Sequence, residues 1–151
     1  MKKLCIACLL LVTLLAGVAS YAQTLSYFRE KYGQPDSKGL FAVRPNIVMA
    51  VQVDKKGQVC KALIKSINET SLSASKPRTV PSKLMTDIIN EVVPVAQRGR
   101  RGRTISLSGG CTSVQIEDYA NVSIKRTLIC KSENEKEELS VEVNWKDRGC
   151  Q

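Results

Sequence analysis

Two runs in which apolar residues alternate with a period of two constrain the fold of this chain most strongly. In residues 139–145, LSVEVNW, every second residue is apolar and the residues between them are polar. A second alternating run, residues 47–53, ends at the turn sequence DKKG, and a further apolar run returns over residues 59–64. Because successive side chains of a strand point to opposite faces, both runs predict strands, and the second predicts a β-hairpin with glycine at a positive φ.

The segment SKLMTDIINEVVP, residues 82–94, predicts the longest helix of the chain. Ser82 is a candidate N-cap, and Pro94 ends the helix. The apolar residues recur at helical spacing and form one stripe: Leu84, Met85, Ile88, Ile89, Val92 and Val93. Such a stripe favours a helix packed on a sheet, with a partner-binding groove or a membrane helix as the alternatives.

A shorter helix and further strands complete the predicted fold. Residues 24–32, TLSYFREKY, carry Leu25, Phe28 and Tyr32 at helical spacing, and Gly33 closes this helix. Strands are also predicted within residues 104–108 and 121–131, and the latter pairs with residues 139–145 across the acidic turn SENEKEE. The fold class is therefore α+β. We expect a single, mostly antiparallel sheet of about five strands, covered on one face by one long and one short helix.

Residues 1–22 have the pattern of a secretory signal peptide. Two lysines precede the apolar residues 4–15, and Ser20-Tyr21-Ala22 supplies the small residues that a signal peptidase requires before a cut after Ala22. The alternative is a retained membrane anchor, because residues 4–19 nearly reach the length that spans a bilayer. Cleavage predicts one exported domain, residues 23–151, periplasmic or extracellular, without a membrane span. Loss of the two lysines lowers the formal net charge from +9 to +7.

Four cysteines remain after this cleavage: Cys60, Cys111, Cys130 and Cys150. An even number in an exported chain predicts two disulfides. The preferred pairs are Cys111–Cys150 and Cys60–Cys130, since the final hairpin places residue 150 level with residues 118–119, near the loop of residue 111. A zinc site is disfavoured because the chain has no histidine and no CxxC motif. Free buried cysteines remain an alternative.

The stretch QRGRRGR, residues 97–103, follows the long helix directly and is the most unusual feature of the sequence. We interpret it as an exposed loop. Its arginines are the candidate binding residues: Arg98, Arg100, Arg101 and Arg103. Arginine presents a planar fork that suits carboxylates and phosphates, so an acidic protein or an anionic polymer is the candidate partner. The alternative is a solvated loop without a binding role at the C-terminus of a helix, where positive charge is favoured. Nucleic acid is disfavoured because the loop has no aromatic residue for stacking on bases.

Enzymatic chemistry has little support in the sequence. Without histidine, the usual pairs of nucleophile and general base are excluded. Among the carboxylates, Asp87 and Glu91 share the helix face opposite the apolar stripe and are predicted to be solvated, and Glu117 and Asp118 form no recognised motif. No catalytic residue, metal site or cofactor is predicted. The sequence favours an exported non-enzymatic domain that binds a protein or an anionic cell-envelope surface. The alternative is a small secreted hydrolase, or a hydrolase inhibitor, that uses carboxylates or arginines.

The segment VQVDKKGQV, residues 51–59, followed by a loop and an amphipathic helix, resembles the C-terminal domain of TonB-type energy transducers. The resemblance covers about residues 47–93 and implies a strand, a D-x-x-G turn, a strand, a helix and a further strand. The chain departs from that family in lacking its proline-rich spacer, and QRGRRGR stands where the family has an aromatic-rich segment. The layout also resembles small exported bacterial domains of unassigned function.

Overall fold

The computed structural model describes residues 23–67, 82–110, 112–129 and 138–150. The predicted signal peptide, Cys111, Cys130 and most of the acidic turn lie outside these described residues. Within them the chain forms three helices and seven strands. The helices are α1 (Leu25–Tyr32), α2 (Ser82–Val92) and α3 (Val95–Arg98). The strands are β1 (Leu40–Arg44), β2 (Ile47–Val53), β3 (Val59–Ser66), β4 (Arg101–Gly109), β5 (Thr112–Tyr119), β6 (Val122–Ile129) and β7 (Glu138–Trp145).

All seven strands form one antiparallel sheet in the order β1-β2-β3-β7-β6-β5-β4. The predicted α+β class and the single antiparallel sheet are confirmed, but the expected number of about five strands is wrong. The prediction missed β1 and β5. In β5, Ser113, Gln115 and Glu117 occupy the face that carries buried apolar residues in β6. The apolar residues of β5, Val114 and Ile116, alternate with these polar residues but lie on the opposite face, and the sequence prediction overlooked this short run.

The helices cover one face of the sheet, which we call the inner face. The predicted stripe of α2 is buried there, with Met85, Ile88, Ile89, Val92 and Val93 almost inaccessible to solvent. The sheet contributes the facing side chains, which include Phe41, Ile47, Met49, Ile64, Ile124, Val141 and Val143. The alternation of apolar residues in β7 predicts that these residues face the core, and the burial of Val141 and Val143 confirms this orientation. None of the described helices has the length and apolar character needed to cross a bilayer.

The predicted local elements form for the reasons that the sequence suggests. Thr24 caps α1 by accepting a hydrogen bond on Oγ1 from the Tyr27 amide (3.4 Å), and Gly33 ends the helix at a φ of +81°. In the β2–β3 turn, Asp54 Oδ1 accepts hydrogen bonds from two backbone amides, and Gly57 adopts a φ of +75°. The final hairpin is also confirmed, because β6 and β7 pair in register over their whole lengths.

The disulfide joins Cys60 to Cys150, with a Cα–Cα distance of 5.5 Å, so both preferred pairs are wrong. Among the described residues there is one disulfide rather than the two expected. The reason is that β7 has two neighbours. The prediction considered only its hairpin partner β6, but β3 pairs along the opposite edge of β7. The chain after β7 turns towards β3, where Arg148 Nη1 donates a hydrogen bond to the Val59 carbonyl (2.6 Å).

Candidate binding surface

Arg98 does not lie in an exposed loop, so the predicted exposure of this residue is wrong. The short helix α3 turns Arg98 back beneath the end of α2, where the residue is only 6% exposed. Its Nε donates to the Val93 carbonyl (3.0 Å), and its Nη2 donates to Asn90 Oδ1. The guanidinium also lies over the Tyr119 ring, 5.7 Å from the centroid. Because the last carbonyls of a helix lack partners within the helix, Arg98 acts as a cap for α2.

The glycine that follows Arg98 is required for close packing. Gly99 has a φ of +75°, and a side chain there would place its Cβ 2.9 Å from the Ala120 Cβ. The neighbouring backbone is bonded to the β5–β6 turn: the Asn121 amide donates to the Arg98 carbonyl (3.0 Å), and the Ala120 amide donates to the Arg100 carbonyl (2.9 Å). The first half of QRGRRGR is therefore held against this turn.

Arg101 begins β4 and faces inward, towards a buried carboxylate. Its Nη2 lies 3.2 Å from Glu117 Oε1 and donates to Thr104 Oγ1 (3.3 Å). Glu117, whose side chain is 11% exposed, also lies 3.5 Å from Arg126 Nη2. Two cations thus surround one anion and leave a net positive charge. Arg100 and Arg103 are exposed. Of the four candidate arginines, these two remain fully available to a partner.

The strongest candidate for a binding surface is β4 itself. Among the described residues it pairs only with β5, so it forms an edge of the sheet, and all nine of its residues are exposed. Alternation places Ile105 and Leu107 on the outer face, where they are 47% and 59% exposed. Their partners across the strand are Ile116 and Val114. We call these four residues the β4 patch.

The sequence contains a pattern that could have indicated the β4–β5 hairpin and its patch. Two short runs of alternating apolar residues flank the glycine pair of residues 109–110, as in a hairpin.

The carboxylates proposed from the sequence are separated by the fold. Asp87 is exposed and pairs with Lys83 (3.0 Å), and Asp118 pairs with Lys146 (2.6 Å). The prediction that Glu91 is solvated is wrong. It is half-buried where α1, β1 and α2 meet, and it is paired with Arg44 and with the Tyr32 hydroxyl. Burial, and then the charge of Glu91, raise the pKa of Tyr32 above its ordinary value. Within the described ranges, no group of three or more histidine, cysteine or acidic residues is arranged to hold a metal ion.

No protein-family model, no curated protein and no solved structure matches this chain. The resemblance of residues 47–93 to the TonB C-terminal domain therefore stays a prediction. Two further basic residues that precede α2 in the sequence, Lys76 and Arg78, lie outside the described residues.

Replacing Arg98 by serine is expected to lower the free energy of unfolding by about 2–4 kcal/mol, because two hydrogen bonds from a buried cation are lost. Urea unfolding followed by circular dichroism measures the change. The matched control replaces Arg100 and Arg103 together by serine, and its stability should lie within about 0.5 kcal/mol of the wild type, since both side chains are exposed. Equal stability of the two variants would contradict the capping role of Arg98.

Proposed function

We propose that this protein is an exported, non-enzymatic domain that binds an extended segment of a partner protein as an additional strand beside β4. The observation that carries the proposal is the open edge of β4, a strand of nine residues that are all exposed. The backbone amides and carbonyls along such an edge can pair with an added strand, and the side chains beside them provide specificity.

The edge of β4 is protected against an added strand along only part of its length. We expect the contact along the unprotected part. Proteins usually block an edge strand with charges, irregular pairing or a covering element. In β4 the arginines and the register irregularity occur between Arg101 and Thr104. From Thr104 to Gly109 the pairing with β5 is regular, and Ile105 and Leu107 are exposed there. We therefore place the partner strand beside residues 104–109.

Charge and apolar surface together indicate the chemistry of the partner. Apolar side chains on alternate positions of an added strand would extend the β4 patch. Acidic residues near the end of that strand would meet Arg100 and Arg103, whose guanidinium groups suit carboxylates. The formal net charge of +7 that remains after removal of residues 1–22 favours the approach of an acidic partner. Export is supported by the signal-like residues 1–22 and by the disulfide, since disulfides persist in oxidising compartments.

A synthetic peptide of alternating valine and glutamate tests the proposal, with a valine–lysine peptide as the control. The valine–glutamate peptide is expected to slow amide hydrogen exchange over residues 104–109. Leu107→Lys should weaken binding of this peptide by about tenfold, because the substitution places a positive charge within the apolar β4 patch. Ser108→Lys adds the same charge to the next residue on the opposite face and should weaken binding far less. Protection confined to other strands, or equal losses in the two variants, would reject β4 as the binding edge.

A further inference from the structure

A cavity of about 230 Å³ lies between α2 and the inner face of β5, β6 and β7. Its apolar walls are Met85, Leu128 and Leu139, and its polar lining includes Ser113, Gln115 and Arg126. The space exists because β5 contributes small or polar residues to the inner face, opposite Leu128 and Arg126 of β6. A recess therefore remains between α2 and this part of the inner face.

Arg126 gives this recess an unbalanced positive charge. Its Nη2 lies 3.5 Å from Glu117 Oε2, but Glu117 is shared with Arg101 at 3.2 Å. One carboxylate therefore serves two guanidinium groups. Arg126 Nε is also buried without a hydrogen-bond acceptor among the described residues. A buried donor without an acceptor is costly, so the cluster would be stabilised by a further anionic oxygen.

We propose that this cavity binds a small organic carboxylate with an apolar body. The guanidinium of Arg126 would bind the carboxylate, since its fork matches the two oxygens, and Met85, Leu128 and Leu139 would enclose the apolar part. The site is distinct from the β4 edge, because it opens on the inner face of the sheet whereas the β4 patch lies on the outer face. It therefore does not depend on the proposed function.

The cavity is partly open to solvent, so its volume sets the size of the part of a ligand that it can enclose. An apolar cavity of about 150 Å³ accepts benzene, which has six non-hydrogen atoms. A cavity of 230 Å³ is about half as large again and suits a molecule of roughly nine such atoms. Benzoate has this size and combines a carboxylate with a rigid apolar ring, so we choose it as the probe.

Titration of the purified protein with sodium benzoate, followed by ¹H–¹⁵N and methyl NMR, tests the proposal. We expect saturable shifts at Met85, Leu128 and Leu139. Benzyl alcohol, which keeps the ring but has no charge, should bind at least about tenfold more weakly. Equal binding of the two compounds, or benzoate shifts confined to other parts of the protein, would overturn the proposal.

Substitutions separate the role of Arg126 from a general effect of charge. Arg126→Met should weaken benzoate binding by at least about tenfold, and Arg126→Lys should retain part of the affinity. Lys125→Met is the matched control. It removes the same charge from the preceding residue, which is exposed on the outer face, and should change the affinity less than about twofold.

If Arg126→Met fails to fold, Arg126→Lys still tests the proposal, because it keeps a cation beside Glu117. Equal losses of benzoate affinity in Lys125→Met and in the Arg126 variants, or full affinity in the Arg126 variants, would reject the assigned role of the guanidinium.

Discussion

Replacement of Ile88 by aspartate is expected to unfold the protein, or nearly so. Ile88 lies in the middle of the buried stripe of α2 and is completely inaccessible to solvent. An unpaired carboxylate at this position would cost several kcal/mol (about 5), which is comparable to the whole stability of a small domain. Urea unfolding monitored by circular dichroism and by the fluorescence of Trp145 provides the measurement, because Trp145 belongs to the same core.

The adjacent residue provides the control for this substitution. Asp87 is on the exposed side of α2, where its carboxylate pairs with Lys83 at 3.0 Å. Exposed ion pairs of this kind contribute little, so Asp87→Ala should change the free energy of unfolding by no more than about 0.5 kcal/mol. If Ile88→Asp proved as mild as Asp87→Ala, the packing of α2 on the sheet by its apolar stripe would be refuted.

Removal of the Cys60–Cys150 disulfide should have the second-largest effect. The bond closes a segment with a sequence separation of 90 residues, so it restricts the unfolded chain strongly. The double variant Cys60→Ser/Cys150→Ser is expected to lose about 2–5 kcal/mol of unfolding free energy. The double substitution is preferred to a single one because it leaves no unpaired thiol from this bond.

Two measurements on the oxidised protein check this prediction. Peptide mapping without reduction should recover a fragment in which Cys60 is linked to Cys150, and urea unfolding should show a lower midpoint for the double variant. The Lys55→Ser variant serves as a control, since Lys55 is an exposed residue of the β2–β3 turn. A double variant as stable as this control would show that the bond between β3 and the C-terminal tail does not stabilise the fold.

The position of the β4 patch allows binding and stability to be separated. The described residues that form the core come from α1, α2 and the strands β1, β2, β3, β6 and β7, and none comes from β4. Substitutions at Ile105 or Leu107 therefore remove few buried contacts. This separation is useful in a binding domain, because the side chains of an exposed edge can match a partner without a requirement to fill the interior.

Local periodicity in the sequence was sufficient to predict most elements and their buried faces. The stripe of α2, the β2–β3 hairpin and the pairing of β6 with β7 each depend on residues that are close along the chain, and each is confirmed. The same reasoning overlooked β5, whose apolar alternation is limited to Val114 and Ile116. These two residues lie on the outer face, and the inner positions Ser113, Gln115 and Glu117 are polar.

The candidate site depended far more on tertiary structure. Four arginines in six residues predicted one exposed basic loop, but the fold assigns them different roles: Arg98 caps α2, Arg101 pairs with Glu117, and Arg100 and Arg103 are exposed. These roles follow from the β5–β6 turn against which the stretch packs, and that turn is not adjacent to it in the sequence. The exposed Ile105 and Leu107 became a candidate surface only when β4 was found at the edge of the sheet.

By itself, the sequence determined most of the segments that form helices and strands and the buried face of most of these, because apolar spacing directly expresses local geometry. Only the tertiary structure decided which elements are neighbours. The disulfide shows this clearly: the β6–β7 hairpin was predicted correctly, yet Cys150 joins Cys60 because β3 occupies the other edge of β7. A strand has two edges, and local periodicity specifies its buried face but not its second neighbour, which depends on how the whole chain encloses a common core.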